Sequence, residues 1–191
     1  VSPILGIWAS ANQSQYISTT AYESIATTTL GSSASNITFS SIPSTYTHLQ
    51  LRGIVRSDRS AVALDSLNIQ LNGITSGSYT DHWLQGDGSS ASSGAEGANV
   101  TTMTFYRTPG AGAGSNMFGA FVIDILDYAN TNKNKTLRGL IGTDLNGSGI
   151  VSLGSGLYNS TSAVSSIKLY PGASSNWVAN TQIALYGIKG A

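Results

Sequence analysis

The chain has 191 residues, 40% of them apolar and only 9% charged, with nine basic and nine acidic side chains and no cysteine. That apolar share supports one packed domain and argues against wholesale disorder, and the lack of any basic stripe argues against a nucleic-acid partner. No apolar run approaches the roughly 20 residues of a membrane-spanning helix, and without cysteine there are no disulfides or thiolate metal sites.

The first ten residues, VSPILGIWAS, carry no charge and gather Ile4, Leu5, Ile7 and Trp8 behind Pro3. Ala9-Ser10-Ala11 resembles a cleavage site, but nothing basic precedes the apolar stretch, which is shorter than the roughly 7–15 residues of an export signal's core. Val1 is an ordinary residue to follow removal of an initiator Met, so the chain is expected to be the intact product. ASANQSQYISTTA, residues 9–21, is polar and without alternation. Connections inside a domain usually take about 4–6 residues, so this longer stretch reads as a tether. The expected division is therefore a docking arm and tether over residues 1–21 and a β-sandwich over residues 22–191. Pro3, Ile4, Leu5, Ile7 and Trp8 are the expected docking residues, by extended addition to a neighbour's sheet edge.

From Tyr22 onward the periodicity is that of strands. YESIATTTL (22–30), NITF (36–39) and THLQLRGIVR (47–56) are followed by an alternating strand around Leu67, Ile69 and Leu71, closed by Asn72-Gly73. Further strands are expected at 100–107, 117–127, 136–143, 150–157, 165–170 and 181–188, each bounded by Gly, Pro, Asn or Ser clusters. No window holds a sustained helical spacing with capping signals. The expected fold is all-β: a single β-sandwich, jelly-roll-like, with Leu49, Leu51, Leu67, Ile69, Phe121, Ile123, Leu169 and Leu185 in one core. GDGSSASSGAEGAN (86–99) and PGAGAGSN (109–116) read as loops, since such small-residue tracts bury little surface. Neither has the Lys and Ser/Thr spacing of a phosphate-binding loop.

Candidate chemistry is sparse. TDHWLQGDG places Asp81, His82 and Asp87 close in sequence, but an acid–base pair is defined by geometry in a cleft, and a loop hydrogen-bond cluster is the favoured reading. His48 alternates outward from the leucines of its strand. DLNGSG has Asp144, Asn146 and Ser148 at the first spacings of a calcium loop, yet its twelfth position is Ser155 and no helices flank it, so a hairpin turn is expected. Asp124 and Asp127, next to Tyr128, are at most a chance carboxylate pair. Six Asn-x-Ser/Thr sequons fit chance in so polar a sequence. No catalytic residue, cofactor or metal is expected. Tyr79, Trp83 and Trp177, near polar loops, are candidates for stacking on a glycan.

PILGIWAS, YESIATTTL, FSSIPSTYTHLQLRG, IDILDYANTNKNKTLRGL and ALYGIKG run in order along most of the chain. In these stretches the sequence resembles small virion structural proteins of tailed bacteriophages, particularly cyanobacterial and other aquatic phages. That resemblance implies a component of the phage particle, of the capsid-decorating or tail-fibre type, and carries over no catalytic residues. Low charge and absent cysteine suit a protein held in an assembly outside cells. The expected role is a capsid decoration protein at the particle surface, docked through its arm. Its expected partners are other copies of itself, as in a trimer, and the major capsid protein or tail proteins. The alternative is a tail-fibre or receptor-binding module on host glycans; a polysaccharide hydrolase comes third. Fibres usually carry a repetitive shaft before the binding head, and the roughly twenty residues ahead of the first strand here make the capsid role the expected one.

Overall fold

The computed structural model describes residues 21–172 and 174–190, so the arm residues Pro3, Ile4, Leu5, Ile7 and Trp8 lie outside the described part. Among the described residues twelve strands follow in order: β1 (Tyr22–Thr29), β2 (Ile37–Phe39), β3 (His48–Val55), β4 (Leu64–Leu71), β5 (Tyr79–Gly86), β6 (Ala91–Val100), β7 (Met103–Pro109), β8 (Gly119–Leu126), β9 (Lys135–Asp144), β10 (Gly149–Tyr158), β11 (Ile167–Pro171) and β12 (Gln182–Ile188). No helix occurs among the described residues. Eight strands form one sheet in the order β1-β12-β3-β8-β9-β10-β5-β6, and four form the other, β2-β11-β4-β7. Every pairing is antiparallel. The two sheets pack face to face as a β-sandwich. The chain passes from β2 in the small sheet to β3 in the large, to β4 in the small and β5 in the large, so its path wraps jelly-roll-like around the core. The β8-β9-β10 meander widens the larger sheet.

Alternation sets which side chains meet between the sheets, because successive strand residues point to opposite faces. Leu49 and Leu51 from β3, Leu67 and Ile69 from β4, Phe121 and Ile123 from β8, Leu169 from β11 and Leu185 from β12 join one core, as expected from their pattern. Strand β7 lies close against β9 and β10. Glycine makes that approach possible. A Cβ on Gly154 would stand 2.7 Å from Phe105 Cδ1, and one on Gly139 2.9 Å from Phe105 Cε1, both inside van der Waals contact. Gly156 makes the same room for Met103. These three glycines form a flat seat on which the Phe105 and Met103 side chains rest.

Two sequence expectations are corrected. Tyr79–Gly86 is a strand where none was assigned, and most of the small-residue tract 86–99 is not a loop but β6, paired along β5. Backbone hydrogen bonding needs no large side chains, so a tract of Ala, Ser and Gly can close the edge of a sheet beside a strongly patterned neighbour. The stretch 110–118 does lie outside the strands, and Arg56 holds it by donating to the carbonyls of Ala111, Ala113, Gly114 and Met117 at 2.7–3.4 Å.

Candidate interaction surface

Alternation also decides the fate of the polar candidates. On β5, Asp81 and His82 are neighbours in sequence and therefore face opposite sides of the sheet. Asp81 is buried at 2% exposure; one carboxylate oxygen accepts from the Thr104 backbone N–H at 2.9 Å and the other has no partner among the described residues. Burial pushes its pKa up, partly countered by backbone hydrogen bonds. His82 stands exposed on the outer face, opposite Ser155 of β10. Asp87 sits in the β5–β6 turn, where Ser89 and Ser90 donate backbone N–H groups at 2.9 and 2.8 Å and hold its pKa well below the usual carboxylate range. The three groups do not converge.

The other acids have separate structural partners. Asp124 accepts from Gln50 Nε2 at 2.7 Å and Arg138 Nε at 3.1 Å. Asp127 accepts from Lys133 at 2.7 Å, which lowers its pKa, and its own backbone N–H donates to His48 Nδ1 at 3.0 Å. Asp144 accepts from the Asn146 backbone N–H at 2.8 Å in the β9–β10 hairpin. Asn146 and Gly147 both have positive φ there, 58° and 108°, the pairing that two-residue hairpins favour. DLNGSG is thus a turn. Among the described residues no group of three His, Asp or Glu side chains is arranged to hold a metal ion.

The aromatic candidates need correction as well. Tyr79 and Trp177 are fully buried, so neither can stack on a sugar. The Tyr79 hydroxyl donates to the carbonyls of Leu71 and Ile74 and accepts from the Leu71 N–H, while Trp177 Nε1 donates to the Leu169 carbonyl. Both are core residues whose polar ends are satisfied. Trp83 is half-buried on the inner face of β5, over Gly94 and with its ring 5.8 Å from that of Tyr106. The Tyr106 hydroxyl donates to Glu96, and burial with this bond pushes its pKa above the ordinary value.

What the sequence reading missed is on the far side of the large sheet. Its outer face carries every large apolar side chain that is well exposed among the described residues: Tyr22, Ile54, Leu84, Leu140, Val151 and Leu153, at 47–57% exposure. The pairing register lines them up. Val122, Leu140, Leu153 and Leu84 stand opposite one another across β8, β9, β10 and β5. The adjacent row is Ile54, Ala120, Gly142, Val151 and Gly86, whose small members leave a hollow between larger walls. The result is an open depression of about 650 Å³ lined by Arg52, Ile54, Val122, Leu140 and Val151 over Ala120 and Gly142. A Cβ built on Gly142 meets no atom within 4 Å. A second depression, of about 580 Å³, shares Ala120, Gly142 and Val151 and runs out between the turns at Asp87 and Gly147.

A polar flank borders the apolar rows. Gln50, Asp124 and Arg138 form one hydrogen-bonded row, and Arg52 Nε donates to Gln50 Oε1 at 2.6 Å. The Arg52 guanidinium also lies 5.7 and 5.9 Å from the ring centres of Tyr22 and Tyr186. Near β1 the sheet face therefore ends in a cation held between two aromatic rings. The signal for this surface was present in β9 and β10, where Leu140-Ile141 and Ile150-Val151 place apolar residues on both faces. A one-sided antiparallel strand would have alternated cleanly. Comparison with protein-family models, with curated proteins and with solved structures finds no match.

Proposed function

We propose that this chain is a structural component of a tailed-bacteriophage particle, of the capsid-decorating kind, and that the outer face of its eight-stranded sheet is the surface by which it joins the assembly. One observation carries the assembly role: the well-exposed large apolar side chains of the described residues all share that face. Monomeric soluble proteins rarely leave a contiguous apolar patch of more than a few hundred Å² uncovered. The phage setting rests on the sequence resemblance, and the cysteine-free, weakly charged composition supports it. The glycan-binding alternative loses Tyr79 and Trp177 to the core and keeps only Trp83, half-buried.

The test substitutes the face without touching the core. Leu140→Asp together with Leu153→Asp is expected to leave the strand signature intact and to remove the protein from particles. Retention of the double variant in particles at the parental copy number would overturn the reading. Copy number separates the two phage roles: on symmetry grounds, hundreds of copies mark shell decoration and about a dozen a tail component.

A further inference from the structure

We infer that the hollow over Ala120 and Gly142 is a receptor groove for the apolar segment Pro3–Trp8 of a neighbouring copy of this chain. The inference rests on the assembly reading above and names what covers the face. Shape comes first. A flat sheet laid on this surface would bridge the Gly142 row and leave a void, whereas a single extended segment can enter it. The groove has apolar walls in Ile54, Val122, Leu140 and Val151, and an open floor at Gly142. Chemistry matches: Pro3 to Trp8 contains four large apolar side chains and no charge.

Reach comes next. The described chain starts at the Tyr22 end of β1, an edge strand. Leu140 lies four strands across from it, about 19 Å at about 4.8 Å per strand, and four residues along, about 13 Å. Residues 9–21 can span at most about 47 Å, about twice the distance across the sheet face to the groove, so reach does not limit the segment. Arg52 and Tyr186 of the Tyr22–Arg52–Tyr186 cluster form the β1-side wall of the groove. Because this face is the one that joins the assembly, the segment that covers it comes from a neighbouring copy. Arms exchanged this way would link copies in a ring or lattice.

The absence of native cysteine gives a clean experiment on the full-length chain. Trp8→Cys and Val151→Cys are combined and treated with a short bis-maleimide. Covalent dimers and higher species are expected only when both substitutions are present, and they should disappear when Gly142→Trp fills the floor. A link found within single chains, or links that persist unchanged with Gly142→Trp, would overturn the exchange. Independently, Ile7→Asp with Trp8→Asp should weaken self-association by about tenfold or more in sedimentation. If that pair is silent while Leu140→Asp with Leu153→Asp abolishes particle incorporation, the groove inference fails and the assembly face stands. If the face variant is also silent, both fail.

Discussion

Lys135 shows how a single residue can look functional and prove architectural. It begins β9 with its side chain fully buried, and its amine donates to the carbonyls of Asn130, Lys133 and Thr161 at 2.5, 2.6 and 3.1 Å. Burial lowers its pKa, yet three acceptors hold the ammonium in place and tie the β8–β9 turn to the β10–β11 connection. Lys135→Met keeps the length and deletes the donors, leaving three carbonyls short of partners. Urea unfolding should show a loss of about 1–3 kcal/mol, as for buried polar groups stripped of a partner. Asp81 is the opposite case, a buried acid with one oxygen unsatisfied among the described residues. Its folded pKa lies above the unfolded value, so protonation stabilises the native state. That contribution is complete below the unfolded pKa and is lost as pH rises through the folded one. Asp81→Asn should therefore flatten the decline in stability above about pH 4, where an unperturbed Asp titrates, and a melting-temperature series across pH will read it.

At the scale of elements, the glycine seat beneath β7 is the feature on which sheet spacing depends. Gly139, Gly154 and Gly156 all lie on the inner face of β9 and β10, where most sandwiches place β-branched residues. A valine at Gly154 would drive its Cβ into the Phe105 ring, and overpacking of this kind typically costs about 1–3 kcal/mol. Combining Gly154→Ala with Phe105→Leu should cost less than the sum of the two single changes, because each makes room for the other; a double-mutant cycle on unfolding free energies measures the difference. The β5–β6 pair teaches a related lesson. Gly94 leaves space for the Trp83 ring, so an edge strand with hardly any large side chains still covers an aromatic one.

At the scale of the whole molecule, an all-β sandwich presents a patterned core inside and a second apolar surface outside. Circular dichroism should show far less helix than the roughly 30–35% of an average globular protein. Because formal net charge is zero and the proposed contact surface is apolar, association through the outer face should survive about 1 M salt, where the screening length is only about 3 Å. Loss of association at high salt, read by sedimentation, would assign the contact to Arg52, Arg138 and Asp124 instead. Leu140→Asp with Leu153→Asp sets two carboxylates opposite one another on β9 and β10, so a modest fall in melting temperature is expected while the cooperative transition and the strand signature remain.

Strand class, the inner core and the turns at Asn72-Gly73 and Asn146-Gly147 were legible in the sequence, because a period of two and a left-handed turn are local properties carried by neighbouring residues. Leu49, Leu51, Ile123 and Leu185 could be assigned to the core from alternation alone. Tertiary structure alone decided that Tyr79 and Trp177 lie inside and that the tract 91–100 pairs as a strand; once 79–86 is a strand, alternation puts Asp81 and His82 on opposite faces. Tertiary structure also decided the outer surface. Leu140, Leu153 and Leu84 are far apart in the chain, and only the register of β9, β10 and β5 sets them in one row. A hydrophobic residue reports that it seeks cover. Which sheet face it joins, and whether the fold itself supplies that cover, depends on pairings between distant strands that no local pattern encodes.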